Sequence, residues 1–126
     1  MGLWIFMLII VLFIPAIMIL FGALFKKSVP GDINYVFGYR TNMSMKNKDT
    51  WEFAHRHLGH LWFRLGLILI LPSTLALLFV LGQSKDYIGY TGATIEFFQL
   101  AILLLSLIPT ERALRRTFYP DGSRKE

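Results

Sequence analysis

Three long apolar runs constrain this chain more than any other feature of its sequence. The runs 3–25 and 65–83 carry no charged residue, and the run 88–108 is interrupted only by Glu96. A hydrocarbon core of ~30 Å needs about 20 helical residues to cross it, and backbone groups inside lipid must find hydrogen bonds within the segment. The pattern therefore predicts an all-α integral membrane protein with three transmembrane helices.

The 126 residues are expected to form one membrane domain. The first apolar run has no basic region before it and is longer than the core of a secretion signal, so we expect it to remain as a helix. The predicted segments are a first transmembrane helix at about 3–25, a cytoplasmic loop at 26–60, a second helix at about 61–83, an outer loop at 84–87, a third helix at about 88–108 and a cytoplasmic tail at 109–126.

Basic residues are distributed unevenly among the polar segments. The formal net charge is +5, and every Lys and Arg except Lys85 lies in the first loop, at its edge or in the tail. Short cytoplasmic loops of membrane proteins collect Lys and Arg. The distribution predicts that the loop and the tail face the cytoplasm and that the N-terminus lies outside. No groove-reading motif accompanies the charge, so we expect these residues to meet a lipid bilayer and no nucleic acid.

The first loop is expected to be ordered, because it carries an amphipathic helix. Asp49, with Glu52 three residues later, is predicted to be the N-cap of this helix. From Thr50 onward apolar residues recur at a spacing of three and four, which is typical of a helix with one apolar face. We expect the helix to lie along the membrane surface and to bend near Gly59 into the second transmembrane helix.

The tail is expected to begin with a helix break and to continue as a short basic helix. Pro109 follows the third apolar run, and the pattern of 111–118 predicts the helix. On this prediction Leu114 and Phe118 face lipid, while the arginines between them face phosphates.

Motifs in the loop and the tail resemble the SdpI family. The loop contains Gly38-Tyr39-Arg40-Thr41, then Lys46-Asn47 and Trp51, then His57 and Gly59 ahead of a membrane helix; the tail contains Pro109-Thr110-Glu111, Leu114-Arg115-Arg116 and Phe118. The resemblance covers most of 22–122. It implies a multi-pass protein of the bacterial plasma (inner) membrane that gives immunity to a secreted membrane-active peptide and that holds a soluble repressor at the membrane.

Arg40 is the first candidate binding residue. Its planar guanidinium suits a phosphate or carboxylate held in two places, and Gly38 permits a close backbone approach. The alternative is an internal clamp in which Arg40 pairs with Glu52, Asp49 or Glu111. The candidate residues for ligand binding or for holding the loop are Gly38, Arg40, Thr41, Asn47, Trp51, Glu52 and His57, with Glu111, Arg115 and Arg116 of the tail.

Three histidines, His55, His57 and His60, raise the question of a metal site. One continuous helix cannot direct three ligands at one ion, and the chain has neither Cys nor a His-Glu-x-x-His motif. We therefore predict no metal and no other cofactor. His57 is expected to bond the loop or Thr41. Trp51 is expected to anchor the loop at the membrane surface, with packing under the Arg40 loop as the alternative.

Glu96 and Gln99 place two polar side chains on one face of the third transmembrane helix. A carboxyl inside a membrane must be neutral, paired or in contact with water. One interpretation is a polar site where protons, ions or a peptide engage. The other is a bond between helices, with Glu96 joined to Ser73, Thr74 or a second copy of the chain in a homo-oligomer.

The resemblance to the SdpI family implies a membrane immunity or receptor-like protein that binds or senses a membrane-active peptide and signals to a cytoplasmic partner. One alternative is an oligomeric transporter or lipid-handling protein that uses Glu96 for protons and Arg40 for an anion; another is an accessory structural subunit. We expect no enzyme, because no set of nucleophile, base and orienting residue can be assembled from the motifs by spacing.

Overall fold

The computed structural model describes residues 2–28 and 39–125 of the chain. Within these ranges there are four helices: α1 Gly2–Lys27, α2 Lys48–Phe79, α3 Lys85–Leu105 and α4 Leu107–Thr117. Three helical stretches are long and apolar enough to cross a membrane, namely α1, α2 and the stretch Lys85–Thr117 that α3 and α4 form together. The predicted all-α fold with three membrane-length helices is confirmed.

The three long helices alternate in direction. Gly22 near the end of α1 lies against Gly59 in the first half of α2, and Trp4 near the start of α1 donates a hydrogen bond to the carbonyl of Leu77 at 2.7 Å. α1 and α2 are therefore antiparallel. Met7 lies against Gly92 near the start of α3, so α3 runs parallel to α1.

Three glycines bring the backbones of α1 and α2 into direct contact. A Cβ on Gly22 would lie 2.6 Å from the backbone nitrogen of Phe63, and a Cβ on Gly59 would lie 3.0 Å from the carbonyl oxygen of Gly22. A Cβ on Gly66 would lie 2.9 Å from the carbonyl oxygen of Pro15. Membrane helices use small residues in this way to approach closely. α2 is one continuous helix through Gly59, so the amphipathic segment is not a separate surface helix that bends there, and Gly59 serves contact with α1.

Lys26 and Lys27 end α1, and the residues after Thr41 that precede α2 lie at the same end of the bundle, which we call the charge-rich end. There, residues 39–60 and 107–125 form a folded unit that we call the cap. The core of the cap is a cluster of side chains that are almost fully buried: Tyr39, Ala54, Leu58, Leu114 and Phe118.

Helix α4 differs from the prediction in two ways. Leu114 and Phe118 do not face lipid: they are 0% and 1% exposed, because the first turns of α2 offer them an apolar surface inside the cap. Pro109 does not end a helix either, since it lies in the first turn of α4. A proline is tolerated there because the backbone N–H that it lacks would have no partner within the helix.

The N-cap of α2 also differs from the prediction. It is Asn47, and Asp49 lies in the first turn of the helix. The Asn47 side chain accepts a hydrogen bond from the backbone N–H of Thr50 at 2.9 Å, while the Thr50 hydroxyl accepts one from the backbone N–H of Asn47 at 3.1 Å. This reciprocal pair is a capping box in which Thr replaces the more usual Glu.

We expect Gly22→Ala to destabilise the protein by about 1–3 kcal/mol, because the added methyl group meets immobile backbone atoms of α2. Thermal unfolding in detergent, followed by circular dichroism, should show a lower Tm. Gly89→Ala is the matched control, since a Cβ at Gly89 meets no atom within 4 Å. Alanine favours a helix over glycine, so the control should match or exceed the native Tm. Equal Tm values for Gly22→Ala and the native protein would contradict the backbone contact.

Candidate functional site

Gln99 joins the three membrane helices, and a proline explains why it does so. Pro15 has no backbone N–H, so the carbonyl of Val11, four residues earlier in α1, loses its helical donor. The Gln99 amide donates to this carbonyl at 2.8 Å and to the Ser73 hydroxyl of α2 at 2.8 Å. Gln99 is only 1% exposed. A polar group that would be costly inside lipid is thereby satisfied by a neighbouring helix.

Two acceptor oxygens beside this junction have no hydrogen-bond donor within the part of the chain that the structure describes. They are Oε1 of Glu96 and Oε1 of Gln99, and both atoms are buried. Gln99 makes the bond to Ser73 that was one of those expected of Glu96. We call Glu96, Gln99 and Ser73 the seam. Since donors for its two oxygens are not supplied by the described residues, the seam can accept hydrogen bonds from a ligand.

The cap is held by a chain of hydrogen bonds that starts at Tyr39. Its backbone N–H donates to Nε2 of His55 at 2.8 Å, and Nδ1 of His55 lies 2.8 Å from the Trp51 carbonyl. Because Nε2 accepts, Nδ1 carries the proton and donates, so this imidazole is neutral. His55 and Trp51 are both fully buried. Trp51 thus packs inside the cap, and its other expected role, an anchor at the membrane surface, is wrong.

The Tyr39 side chain connects the loop to α4. Its hydroxyl donates to Oε1 of Glu111 at 2.7 Å. Burial raises the pKa of the Tyr39 phenol far above its usual range, and the hydrogen bond to Glu111 raises this pKa further. The phenol therefore remains a donor at every physiological pH. Glu111 thus accepts a hydrogen bond from Tyr39 and does not pair with Arg40, which was one of the predicted alternatives.

A short turn leads from Tyr39 into α2. The Thr41 backbone N–H donates to the Ser44 hydroxyl at 2.9 Å, and the Ser44 N–H donates to the Thr41 hydroxyl oxygen at 3.1 Å. The Ser44 carbonyl then accepts from the Thr50 hydroxyl at 3.0 Å. These local bonds fix the direction in which the segment meets Asn47, so Thr41 has a structural role in the cap.

The tail is fastened to the first turn of α2 by two contacts. The Asn47 side-chain amide donates to the Gly122 carbonyl at 2.7 Å, and Arg124 makes a two-point salt bridge to Asp49 with a shortest distance of 2.8 Å. Gly122 has a φ of +94°, which favours glycine. Both side chains of the salt bridge are half exposed, so the bridge fixes the position of the tail more than it stabilises the fold. We call these two contacts the tail clasp.

Arg40 is exposed, and within 2–28 and 39–125 it makes no ion pair. The clamp to Glu52, Asp49 or Glu111 is therefore not formed: Asp49 pairs with Arg124, and Glu111 accepts from Tyr39. Gly38, the neighbour that was expected to permit close approach, lies outside the described residues.

The remaining candidates are divided between the inside and the surface of the cap. His57 shares a hydrogen bond of 2.9 Å with the buried Thr110 hydroxyl and not with Thr41. Glu52 is half-buried at the outer surface, beside His57 and His60. Arg115 and Arg116 are exposed; the Arg115 carbonyl accepts from Lys125 at 3.0 Å. Among the described residues, no group of three or more His, Asp or Glu side chains could hold a metal ion.

A cavity of ≈ 520 Å³ lies between α1, α2 and the joint of α3 with α4, and we call it the groove. Phe21, Trp62 and Leu104 line its apolar walls, and Arg40 and Thr41 line its cap end. The indole N–H of Trp62 is already used, since it donates to the Ser106 hydroxyl at 2.9 Å. Of the predicted site residues that the structure describes, Arg40 and Thr41 are thus the two that the groove brings together on an apolar surface.

Sequence reasoning missed the residues that organise the cap: His55, Ser44, Thr50, Thr110 and Arg124. His55 had been set aside with the other histidines, although its place four residues after Trp51 allows the intrahelical bond that fixes its tautomer. The partners of Thr110 and Arg124 are 53 and 75 residues away in sequence, and no local signal reveals them.

The described residues define a multi-pass all-α membrane protein with a folded cap at its charge-rich end. The model of the SdpI/YfhL protein family matches residues 32–110, and the chain belongs to this family. The uncharacterized protein YfhL of Bacillus subtilis (strain 168) is 40% identical over 53 residues, which are 42% of this chain and 48% of that protein. The match thus spans about half the length of this relative. No solved structure matches the chain.

We expect His55→Leu to lower the free energy of unfolding by about 1–3 kcal/mol, because the buried Tyr39 N–H loses its acceptor. Unfolding in detergent measures the loss, and hydrogen exchange of the Tyr39 amide should accelerate. The control is His60→Leu, whose side chain is exposed, and it should change stability by about 0.5 kcal/mol or less. Unchanged exchange at Tyr39 in His55→Leu would contradict the assigned bond.

Gln99→Leu should destabilise the native protein by about 1 kcal/mol, because the Val11 carbonyl and the Ser73 hydroxyl lose their donor. The cost should shrink in a Pro15→Ala background, because the alanine that replaces the proline supplies a helical N–H to the Val11 carbonyl. A double-mutant cycle on unfolding free energies in detergent measures this coupling. Additive effects of the two substitutions would show that Pro15 and Gln99 act independently.

Proposed function

We propose that this chain is a receptor-like immunity protein that binds a membrane-active peptide at the seam. Membership in the SdpI/YfhL family supports a membrane protein of this kind. The observation that carries the proposal is the pair of buried oxygens on Glu96 and Gln99, for which the described residues supply no donor. Buried acceptors without donors are costly, so a ligand that brings donors is favoured.

A peptide inserted in the membrane has donors of the required kind. The first four N–H groups of any helix have no partner within the helix, and polar side chains add more. Glu96 is half-buried and its neighbours Phe97 and Phe98 are 70% and 60% exposed, so a peptide would first meet the lipid-facing side of α3 and would reach the two buried oxygens by displacing the Glu96 side chain. A peptide that packs against these phenyl rings brings its donors within reach of Glu96.

The response to the peptide would pass along α2 to the cap. Ser73 of the seam and the N-cap Asn47 belong to one uninterrupted helix and are 26 residues apart, or roughly 39 Å at 1.5 Å per residue. A peptide that donates to Oε1 of Gln99 would turn the amide whose nitrogen donates to Ser73, and a change in that bond would shift α2 against α1. The tail clasp at the other end of α2 would then present or withdraw the tail, which in this proposal faces a cytoplasmic regulator.

A transporter is the second candidate, because Glu96 is a carboxyl within a membrane-length helix. Proton pathways in membrane proteins use such groups. In this function Glu96→Gln abolishes a proton-dependent flux into liposomes that contain the purified protein. In peptide binding the same variant leaves liposomes equally tight.

The test of the proposed function is survival. In a bacterial strain without the gene, the native chain should restore growth under a panel of secreted membrane-active peptides. Glu96→Leu should lower about tenfold the highest peptide concentration at which the strain still grows, because one charged or polar contact of the bound peptide is lost. Phe79→Leu, at a residue of α2 that is 84% exposed and outside the proposed site, is the control for expression and insertion. Equal survival of the deleted and the complemented strain against every peptide would exclude immunity.

A further inference from the structure

The groove and the seam differ in what they offer a ligand. The seam holds acceptors for which the described residues supply no donor, and such acceptors suit N–H groups. In the groove the polar side chains of the walls are already bonded: Trp62 donates to Ser106, and Tyr39 donates to Glu111. A peptide backbone placed there would leave its amides without partners, at a cost for each group. A hydrocarbon chain has no such groups and meets no such cost.

The cap end of the groove carries a positive charge that no acidic side chain of the described residues neutralises. Arg40 lines the groove, is exposed and makes no ion pair in the described ranges. A guanidinium is a preferred donor to phosphate oxygens, because its N–H groups form a planar fork. The Thr41 side chain lies beside it on the same cavity. The groove thus combines an apolar wall with a cation at one end.

We propose that the groove binds one anionic phospholipid, with the phosphate at Arg40 and an acyl chain along Phe21, Trp62 and Leu104. The cavity volume of ≈ 520 Å³ lies within the range of ~300–1,000 Å³ that is usual for sites of small ligands. Leu104 is 58% exposed, so the wall of the groove is open toward the hydrocarbon from which a lipid would enter. The lipid lies beside α1, whereas the seam lies at the α3 face near Phe97 and Phe98.

The surrounding charges favour an anionic lipid over a neutral one. Every Lys and Arg except Lys85 lies in 26–64 or 112–125, near the charge-rich end of the bundle. Basic residues near a membrane surface attract anionic lipids. Arg40 differs from the others in that its charge stands at the end of an apolar cavity, where a headgroup and a chain can be held together.

The test measures lipid retained by the purified protein in native mass spectrometry, from an equimolar mixture of phosphatidylglycerol and phosphatidylcholine with identical chains. The native protein should keep phosphatidylglycerol preferentially. Arg40→Gln should lower this preference about fivefold, because the guanidinium that binds the phosphate at the end of the groove is lost. Arg116→Gln removes the same charge from the exposed side of α4 and should lower the preference by less than about twofold. Equal retention of the two lipids, or equal losses in the two variants, would overturn the proposal.

A second pair of variants tests the groove itself, and it does not depend on Arg40. Leu104→Trp fills the groove and should reduce retention of both lipids, whereas Leu105→Trp, at a residue that is 60% exposed and does not line the groove, should not. Equal retention in both tryptophan variants would contradict the site. Excess glycerol 1-phosphate should not displace phosphatidylglycerol; displacement would assign Arg40 to a free phosphate and overturn the lipid proposal. Neither result depends on peptide immunity, which is measured with Glu96 variants.

Discussion

The contact between the backbones of α1 and α2 sets the geometry of everything else. With glycine at 22, 59 and 66 the two helices touch over residues 15–26 of α1, and at these positions no side chain separates them. This contact fixes Pro15 beside Gly66, and it therefore also fixes the height along the bundle at which the Val11 carbonyl faces α3. The seam forms at this height, because Gln99 can reach both Val11 and Ser73 only where the three helices converge. A small shift along the helices would separate these partners.

The two ends of the molecule use different forces. Inside the bundle, apolar side chains gain little by leaving lipid for protein, so close packing and a few hydrogen bonds decide the association of the helices. In the cap a conventional hydrophobic core forms around Leu114 and Phe118, which are shielded from water. Its polar groups are closely matched, as the links from Tyr39 to His55 and to Glu111 show. The polar groups of the cap are bonded to one another, so the cap holds the loop and the tail together. The seam, whose oxygens receive no donor from the described residues, is suited to contact with a ligand.

Much of the fold can be predicted from the sequence, because the length of an apolar run is a direct physical requirement of a bilayer. The folded loop and the basic terminal helix are also predictable from helical spacing. The N-cap was wrong, since Asp49 and Glu52 match the local pattern as well as Asn47 and Thr50 do, and only the docked tail distinguishes them. Leu114 and Phe118 were assigned to lipid because an amphipathic helix gives no sign of which apolar surface covers it. In the site, Gln99 and Glu96 were predicted because they are polar residues inside an apolar run. That Gln99 finds partners and Glu96 Oε1 finds none among the described residues depends on Pro15, which lies in a different helix and far from both in sequence.

Donors that tie α1 to its neighbours end on main-chain carbonyls at three levels of the bundle. Trp4 donates to Leu77, Gln99 donates to Val11, and Arg56 donates to the carbonyl of Lys26 at 3.2 Å. Every residue type has a carbonyl, so Leu77, Val11 and Lys26 can be replaced over evolutionary time without loss of the acceptor. The donors have no such freedom, because few side chains carry an N–H at the right reach. The hydrogen bonds should therefore restrict the residue type at the donor positions among relatives, whereas at the acceptor positions Val11 and Leu77 are restricted only by their burial.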